Sequence, residues 1–196
     1  MKRLLIAGLW AACIALPAQA ALNAGSVAPD FQTRASLAGK DFPFSLKEAL
    51  KKGPVVVYFY PAAYTRGCNI QAHTFAESID RFTAAGASVV GVSLDSIGRL
   101  NKFSADPDYC AGKLIVAADA GGQIAKSYEL KVSGALPGIK DSKGEEIDHG
   151  FAERTTFVVT PDGKIAATIG GVTPTANVEK ALEVVQKLKA DSRPAP

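Results

Sequence analysis

Six consecutive β-branched and aromatic residues, Val55-Val56-Val57-Tyr58-Phe59-Tyr60, run straight into Pro61. Such a run fits a buried strand, and a proline cannot donate to a central ladder, so the strand ends there. Downstream, Phe75, Ile79 and Phe82 recur at helical spacing, with Ala72 and Ala76 on or near the same face. The spacing predicts a helix over 67–85 whose mouth lies at Cys68. The first N–H groups of a helix lack intrahelical partners and its dipole is positive at that end, which favours negative charge on a thiol placed there. Helix N-termini and nearby cations bring a cysteine pKa from about 8.5 into a range of roughly 3.5 to 7.5. Cys68 is therefore a candidate nucleophile.

The rest of the chain supplies a frame for that unit. Pattern reading places strands near 55–60, 88–93, 114–117, 155–160 and 164–169, and helices near 67–85, 96–105, 121–129 and 175–189. Thr173-Pro174 is a helix start signal, and Val178, Ala181, Leu182, Val185 and Leu188 form one apolar stripe behind it. Strand and helix alternate early, whereas Thr155 to Ile169 around Pro161-Asp162-Gly163 reads as a hairpin, so the sheet is expected to be mixed. This predicts an α/β protein with a thioredoxin-like fold: a central mixed β-sheet flanked by α-helices.

Lys2 and Arg3 precede the apolar stretch Leu4 to Leu16, then Pro17 and the small residues Ala18-Gln19-Ala20 follow, as in a secretory signal peptide. That apolar run is too short to span a bilayer. The expected organisation is a signal peptide over 1–20 and one domain over 21–196, with the mature protein periplasmic or secreted and not held at the membrane. Loss of the signal removes Cys13 and leaves Cys68 and Cys110, an even pair that favours a disulfide in an exported protein. Lys2 and Arg3 also account for two charges of a formal net +3, which leaves +1 and indicates no broad attraction to nucleic acid or an anionic membrane. Removing 20 of the 196 residues leaves 176, enough for one domain with a full core.

The segment Pro61-Ala62-Ala63-Tyr64-Thr65-Arg66-Gly67-Cys68 has the spacing P-x-x-x-T-x-x-C after a strand. It resembles the active-site signature of the peroxiredoxins, thiol peroxidases built on the thioredoxin fold. Ala28-Pro29-Asp30-Phe31 and the run Arg154-Thr155-Thr156-Phe157-Val158-Val159 with its following Pro161-Asp162-Gly163-Lys164 extend the likeness over almost all the chain beyond its N-terminal segment. The subgroup it resembles most is that of the bacterioferritin comigratory protein, also called the Q type. The resemblance implies that Cys68 attacks the peroxide and that Thr65 hydrogen-bonds the thiolate and the substrate oxygens. It implies further that Pro61 shields the pocket and that Arg154 holds the thiolate and polarises the peroxide. Fixed donors such as a guanidinium stabilise the charge that develops on the leaving oxygen. The resulting sulfenic acid condenses with a second thiol before over-oxidation.

Two positions depart from the Q-type pattern. A resolving cysteine is expected five residues after the first, where this chain has His73. Many members carry Glu three residues after the reactive cysteine, where this chain has Gln71. A neutral Gln either leaves more of Arg154's charge for the thiolate or holds the arginine less well, and the sequence leaves both open. Cys110, in Asp106-Pro107-Asp108-Tyr109-Cys110-Ala111-Gly112, is the substitute resolver; this reads as a mobile, solvent-facing loop before a strand. A disulfide needs Cα atoms within about 7 Å, a separation that sequence does not give. A free or merely structural thiol is the alternative role for Cys110.

Each residue also has a plainer reading: Cys68 as a core thiol, Thr65 as a helix cap, Pro61 as a strand end, Arg154 as a surface charge. His73 and His149 read as solvated, with no metal-ligand spacing. The Gly-, Pro- and charge-rich stretch 133–150 reads as a solvated loop that would form one wall of the site if it turned inward. The tail from Asp191 reads as frayed. Three functions compete. The first is a thiol-dependent peroxidase without metal or bound organic cofactor, acting on hydrogen peroxide or organic hydroperoxides. It would be reduced by an external thiol, a thioredoxin-like protein or small thiol, and be a monomer or homodimer. The second is an exported thioredoxin-like thiol-disulfide oxidoreductase, disfavoured because the C-x-x-C partner position holds Thr65. The third is a non-catalytic binding domain on the same fold.

Overall fold

The structure is a computed structural model that describes residues 21–192, so the expected signal peptide lies outside the described residues. In chain order the elements are β1 (Gln32–Leu37), β2 (Lys40–Ser45), α1 (Leu46–Leu50), β3 (Val55–Phe59), α2 (Arg66–Ala84), β4 (Ser88–Ser93) and α3 (Ile97–Ala105). They continue with β5 (Ile115–Ala118), α4 (Gln123–Ser127), β6 (Thr155–Val159), β7 (Ile165–Gly170) and α5 (Pro174–Asp191). One seven-stranded sheet runs β2-β1-β5-β4-β3-β6-β7. Strands β3, β4 and β5 are parallel, and β1, β2, β6 and β7 join antiparallel. The expected mixed sheet with flanking helices is what the chain forms.

Strand β3 is central because its side chains are apolar on both faces. Val56 and Tyr58, followed by Tyr60, face one core with Phe75, Phe82, Val178 and Leu182. Val55, Val57 and Phe59 face the other, with Phe31, Tyr128 and Phe157. An uninterrupted apolar strand is the signature of a sheet covered on both sides. Tyr58 lies so close over Gly91 of the neighbouring strand that a Cβ there would fall 2.4 Å from its ring. Helix α5 starts where expected, with Thr173 Oγ1 accepting from the Ala176 N–H at 3.3 Å and Pro174 in its first turn. It runs on to Asp191, further than its pattern indicates.

The hairpin β1–β2 and the short helix α1 do not stand out in the sequence. Pro43 lies inside β2, which argues against a central strand; β2 is the sheet's edge, where a missing donor is tolerated. Ala38 and Gly39 connect the two strands, both at positive φ (51° and 80°), the geometry of a tight two-residue hairpin.

Candidate active site

Cys68 is the third residue of α2, and the first helical bond inside this end runs from the Asn69 N–H to the Thr65 carbonyl at 2.8 Å. The backbone N–H groups of the first turn are thus free of intrahelical partners beside the thiol. Cys68 is 2% exposed and carries a free thiol. Arg154, at the threshold of β6, directs Nη2 to Cys68 Sγ at 3.2 Å. Gly67 leaves room for that approach: a Cβ there would stand 3.1 Å from the same Nη2, a tight contact. The second Nη of Arg154 donates to Gln71 Oε1. Gln71 Nε2 donates to Asn177 Oδ1 at 2.9 Å, which also accepts from Thr156 Oγ1 at 2.5 Å, and Asn177 Nδ2 donates to the Ile169 carbonyl at 3.0 Å. Gln71 therefore does hold the arginine, which answers the orientation question that the sequence leaves open.

Thr65 occupies the N-cap position with extended backbone (φ −96°, ψ 146°), yet its side chain makes no capping bond. Its hydroxyl donates instead to the Ala62 carbonyl at 2.9 Å. With its proton committed there, Oγ1 is left as an acceptor. Pro61 follows Tyr60, whose N–H still bonds the Val92 carbonyl at 3.1 Å, so the proline marks the end of sheet pairing.

The connector Pro61–Thr65 is held by groups that the sequence does not bring together. Tyr64 has φ +61°, a conformation costing a non-glycine residue on the order of 1–3 kcal/mol. Its ring packs on Phe103 and Tyr109, Lys143 Nζ lies 4.1 Å over its face, and its carbonyl accepts the Ser142 N–H at 2.9 Å. One residue earlier, the Ala63 N–H donates to Asp95 Oδ2 at 2.8 Å and its carbonyl accepts Arg99 Nη2 at 3.1 Å. Asp95 also accepts from Ser93 Oγ (2.7 Å) and bonds His149 Nε2 (3.0 Å), it forms an ion pair with Arg99 (Nε to Oδ1 2.9 Å), and Arg99 reaches Asp141. The expectation of a solvated His149 is corrected: its side chain is 12% exposed and lies between Asp95 and the Gly150 carbonyl. Both partners are acceptors, an arrangement that favours the doubly protonated imidazole. Burial works to lower the His149 pKa, but the hydrogen bonds to Asp95 and Gly150 outweigh it and raise it. Burial likewise works to raise Asp95, and the donors His149, Ala63 and Ser93 outweigh it and bring it down. Part of the 133–150 stretch thus docks on the site through Asp141, Ser142, Lys143 and His149, and is not wholly a solvated loop.

Cys110 is also a free thiol; the turn around it faces solvent at Pro107, Asp108 and Ala111 as expected, but the Cys110 side chain itself is buried. Leu100, Phe103 and Leu114 of the same core enclose it, and burial pushes its pKa up well beyond the ordinary thiol range. Its loop touches the reactive helix: His73 Nδ1 lies 3.0 Å from the Asp108 carbonyl, while Nε2 pairs with Glu77. His73 is half exposed, and its ring occupies the ground between α2 and the turn that carries Cys110. Lys143 pairs with Asp106 of that turn at 2.7 Å.

Among the described residues no cluster of three His, Cys, Asp or Glu side chains could hold a metal ion, and no helix is long and apolar enough to cross a membrane. The model of the AhpC/TSA family matches residues 24–168. The chain is a peroxiredoxin of this family. It is 30% identical over 162 residues to a putative peroxiredoxin bcp of Helicobacter pylori, covering 83% of this chain and 97% of the relative. It is 31% identical over 173 residues to the chloroplastic peroxiredoxin Q of Sedum lineare, covering 87% and 81%. Among solved structures, peroxidoxin BcpB from Mycobacterium tuberculosis superposes with TM-score 0.70 at 28% identity, over 85% of this chain and 98% of the other. The peroxiredoxin is thus of the bcp and peroxiredoxin Q kind, and its activity is that of a thiol-dependent peroxidase.

Asn177 and the Asp95–Arg99–His149 group are absent from the sequence reading. Asn177 left one trace, a polar residue next to Val178 and four before Ala181, on the buried side of an otherwise apolar stripe. The charged group left none as a group: Asp95 and Arg99 stand four residues apart, but His149 lies 54 residues from Asp95.

Proposed function

We propose that Cys68 is the peroxidatic thiol, Arg154 and Thr65 the groups that hold the peroxide, and Cys110 the resolver. The observation that carries this reading is the Arg154 Nη2 contact of 3.2 Å with a buried thiol at the first turn of a helix. Two sources of positive charge, the guanidinium and the helix end, meet at one sulfur. The thiolate sulfur attacks one peroxide oxygen; the S–O bond forms as the O–O bond breaks, and the leaving alkoxide or hydroxide takes a proton to become an alcohol or water. Arg154 meets the charge growing on that oxygen, while Thr65 Oγ1, its own proton given to Ala62, accepts from the hydroperoxide O–H. Pro61 closes the strand end beside this connector and limits water.

Cys68 sulfenic acid then condenses with the Cys110 thiol, forming the disulfide and releasing water. Because Cys110 starts buried, the turn 106–113 and the first turn of α2 must open for the sulfurs to meet. Two equivalents of an external thiol return the disulfide to the dithiol. For an exported chain that donor is a periplasmic or extracellular thioredoxin-like protein or a small thiol, and the N-terminal pattern over 1–20 supports export. Hydrogen peroxide and organic hydroperoxides are the substrate class.

One experiment tests the assignment: the reduced protein receives one equivalent of hydrogen peroxide, and intact and non-reduced peptide masses are read, with Cys68→Ser and Cys110→Ser in parallel. The expected result is rapid loss of two hydrogens and a Cys68–Cys110 linked peptide. Oxygen retained on Cys68 without that link removes Cys110 from the mechanism. Oxidation no faster than that of a free thiol removes Cys68.

A further inference from the structure

Gln71, Thr156 and Asn177 are at most 1% exposed, and they link Arg154 to the backbone of β7 through hydrogen bonds whose direction is forced. The Ile169 carbonyl can only accept, so it takes Asn177 Nδ2 and turns Asn177 Oδ1 the other way. Oδ1 can only accept, so Thr156 and Gln71 Nε2 both donate to it. With its amide nitrogen committed, Gln71 presents Oε1 to Arg154, an obligate donor. Thr156 and Ile169 are register partners across β6 and β7, so the sheet fixes the spacing of the far end. Flipping either amide would set donor against donor and acceptor against acceptor where no water reaches, at a desolvation cost for each group.

Every member of this chain is neutral. Among the described residues no carboxylate forms an ion pair with Arg154, and its side-chain partners are Gln71 and Cys68. We infer that Asn177 is a positioning residue: by fixing the direction of a neutral hydrogen-bond chain it aims the Gln71 carbonyl at Arg154, so that the arginine is held without a counter-ion and its charge acts on Cys68. The reactivity part of this inference rests on the reading of Cys68 as the peroxidatic thiol. A carboxylate at position 71 would pair with the arginine and compete with the sulfur for its charge, and it would also set an acceptor against Asn177 Oδ1 in place of the Gln71 donor.

The test compares the reduced mature protein, residues 21–196, with Asn177→Leu and Gln71→Glu, each checked for folding by its melting transition. Two quantities are read: the pH profile of Cys68 alkylation by iodoacetamide, with Cys110→Ser as the common background, and the second-order rate with hydrogen peroxide. In Gln71→Glu the alkylation profile is expected to move to higher pH by about one unit, the effect of a nearby like charge. In Asn177→Leu the peroxide rate is expected to fall about tenfold, the scale of one misdirected hydrogen bond, with the alkylation profile also moved upward. A folded Asn177→Leu with both quantities unchanged overturns the inference. So does a folded Gln71→Glu with the parent alkylation profile, which decides the matter if Asn177→Leu does not fold. Alkylation needs no peroxide, so the chain from Asn177 to Cys68 stands or falls separately from the peroxidatic role.

Discussion

Arg154 has one fork and two tasks, Cys68 on one nitrogen and Gln71 on the other, and the lack of a Cβ on the residue before Cys68 leaves room for the first. Removal of one fixed donor to a developing oxyanion commonly costs about 10²–10³ in rate, so Arg154→Met is expected to slow Cys68 oxidation by that order. Gly67→Ala is a subtler probe, because its new methyl would stand 3.1 Å from Nη2 and shift the guanidinium without removing its charge. The expected loss is up to about tenfold, short of the ~10²-fold of a full ångström misplacement, because the guanidinium need give only slightly. Stopped-flow competition for hydrogen peroxide against a reference thiol enzyme measures both, and a Gly67→Ala rate equal to the parent's would show that the close packing is not needed for the chemistry.

At the scale of elements, the connector between β3 and α2 is a short piece of irregular chain with an unfavourable φ at Tyr64, and the charged group Asp95, Arg99 and His149 braces it at Ala63. His149 has its pKa raised in the fold, so its contribution to stability is fully present below its unfolded value of about 6.5 and is lost as pH rises through the higher folded value. Asp95 has its pKa lowered, so its contribution is present above an unfolded value of about 3.9 and is lost as pH falls through the lower folded one. The pair therefore supports the connector best from weakly acidic to near-neutral pH. A melting temperature that falls as pH climbs from 6.5 upward is expected in the parent, and a flatter profile over that range in His149→Gln. Calorimetry across this range checks it; parallel profiles for the two proteins would remove the imidazolium from the brace.

For the whole molecule, the sheet separates two cores, and the site lies where the central strand β3 ends and the helix above it begins. Phe75 on α2 stacks on Tyr58 of β3 with ring centroids 4.5 Å apart, fixing the helix over the strand. Phe75→Ala is expected to destabilise the fold by about 3–5 kcal/mol, a large part of a typical 5–15 kcal/mol, and urea unfolding measures it. A loss below about 1 kcal/mol would mean that the core re-forms around the gap. Much of this architecture is legible in residue order. The run from Val55 to Tyr60, the Pro61 stop, the 3.6-residue stripes of α2 and α5 and the Pro161-Asp162-Gly163 turn are local patterns, and each element they mark is present within a few residues of its expected place. The P-x-x-x-T-x-x-C spacing belongs with them, because its parts lie in one strand, one connector and one helix. The edge hairpin β1–β2 was obscured by Pro43, whose tolerance depends on being at an edge, a property of the assembled sheet. Burial of Cys110, the pairing of His149 with Asp95 and the chain from Ile169 to Arg154 likewise depend on partners up to 106 residues apart. Sequence thus determined the strand, the helix and the thiol at their junction, through periodicity and short-range sterics. The tertiary structure alone decided which charges meet that thiol, because hydrogen-bond direction and desolvation act only between groups that folding has brought together.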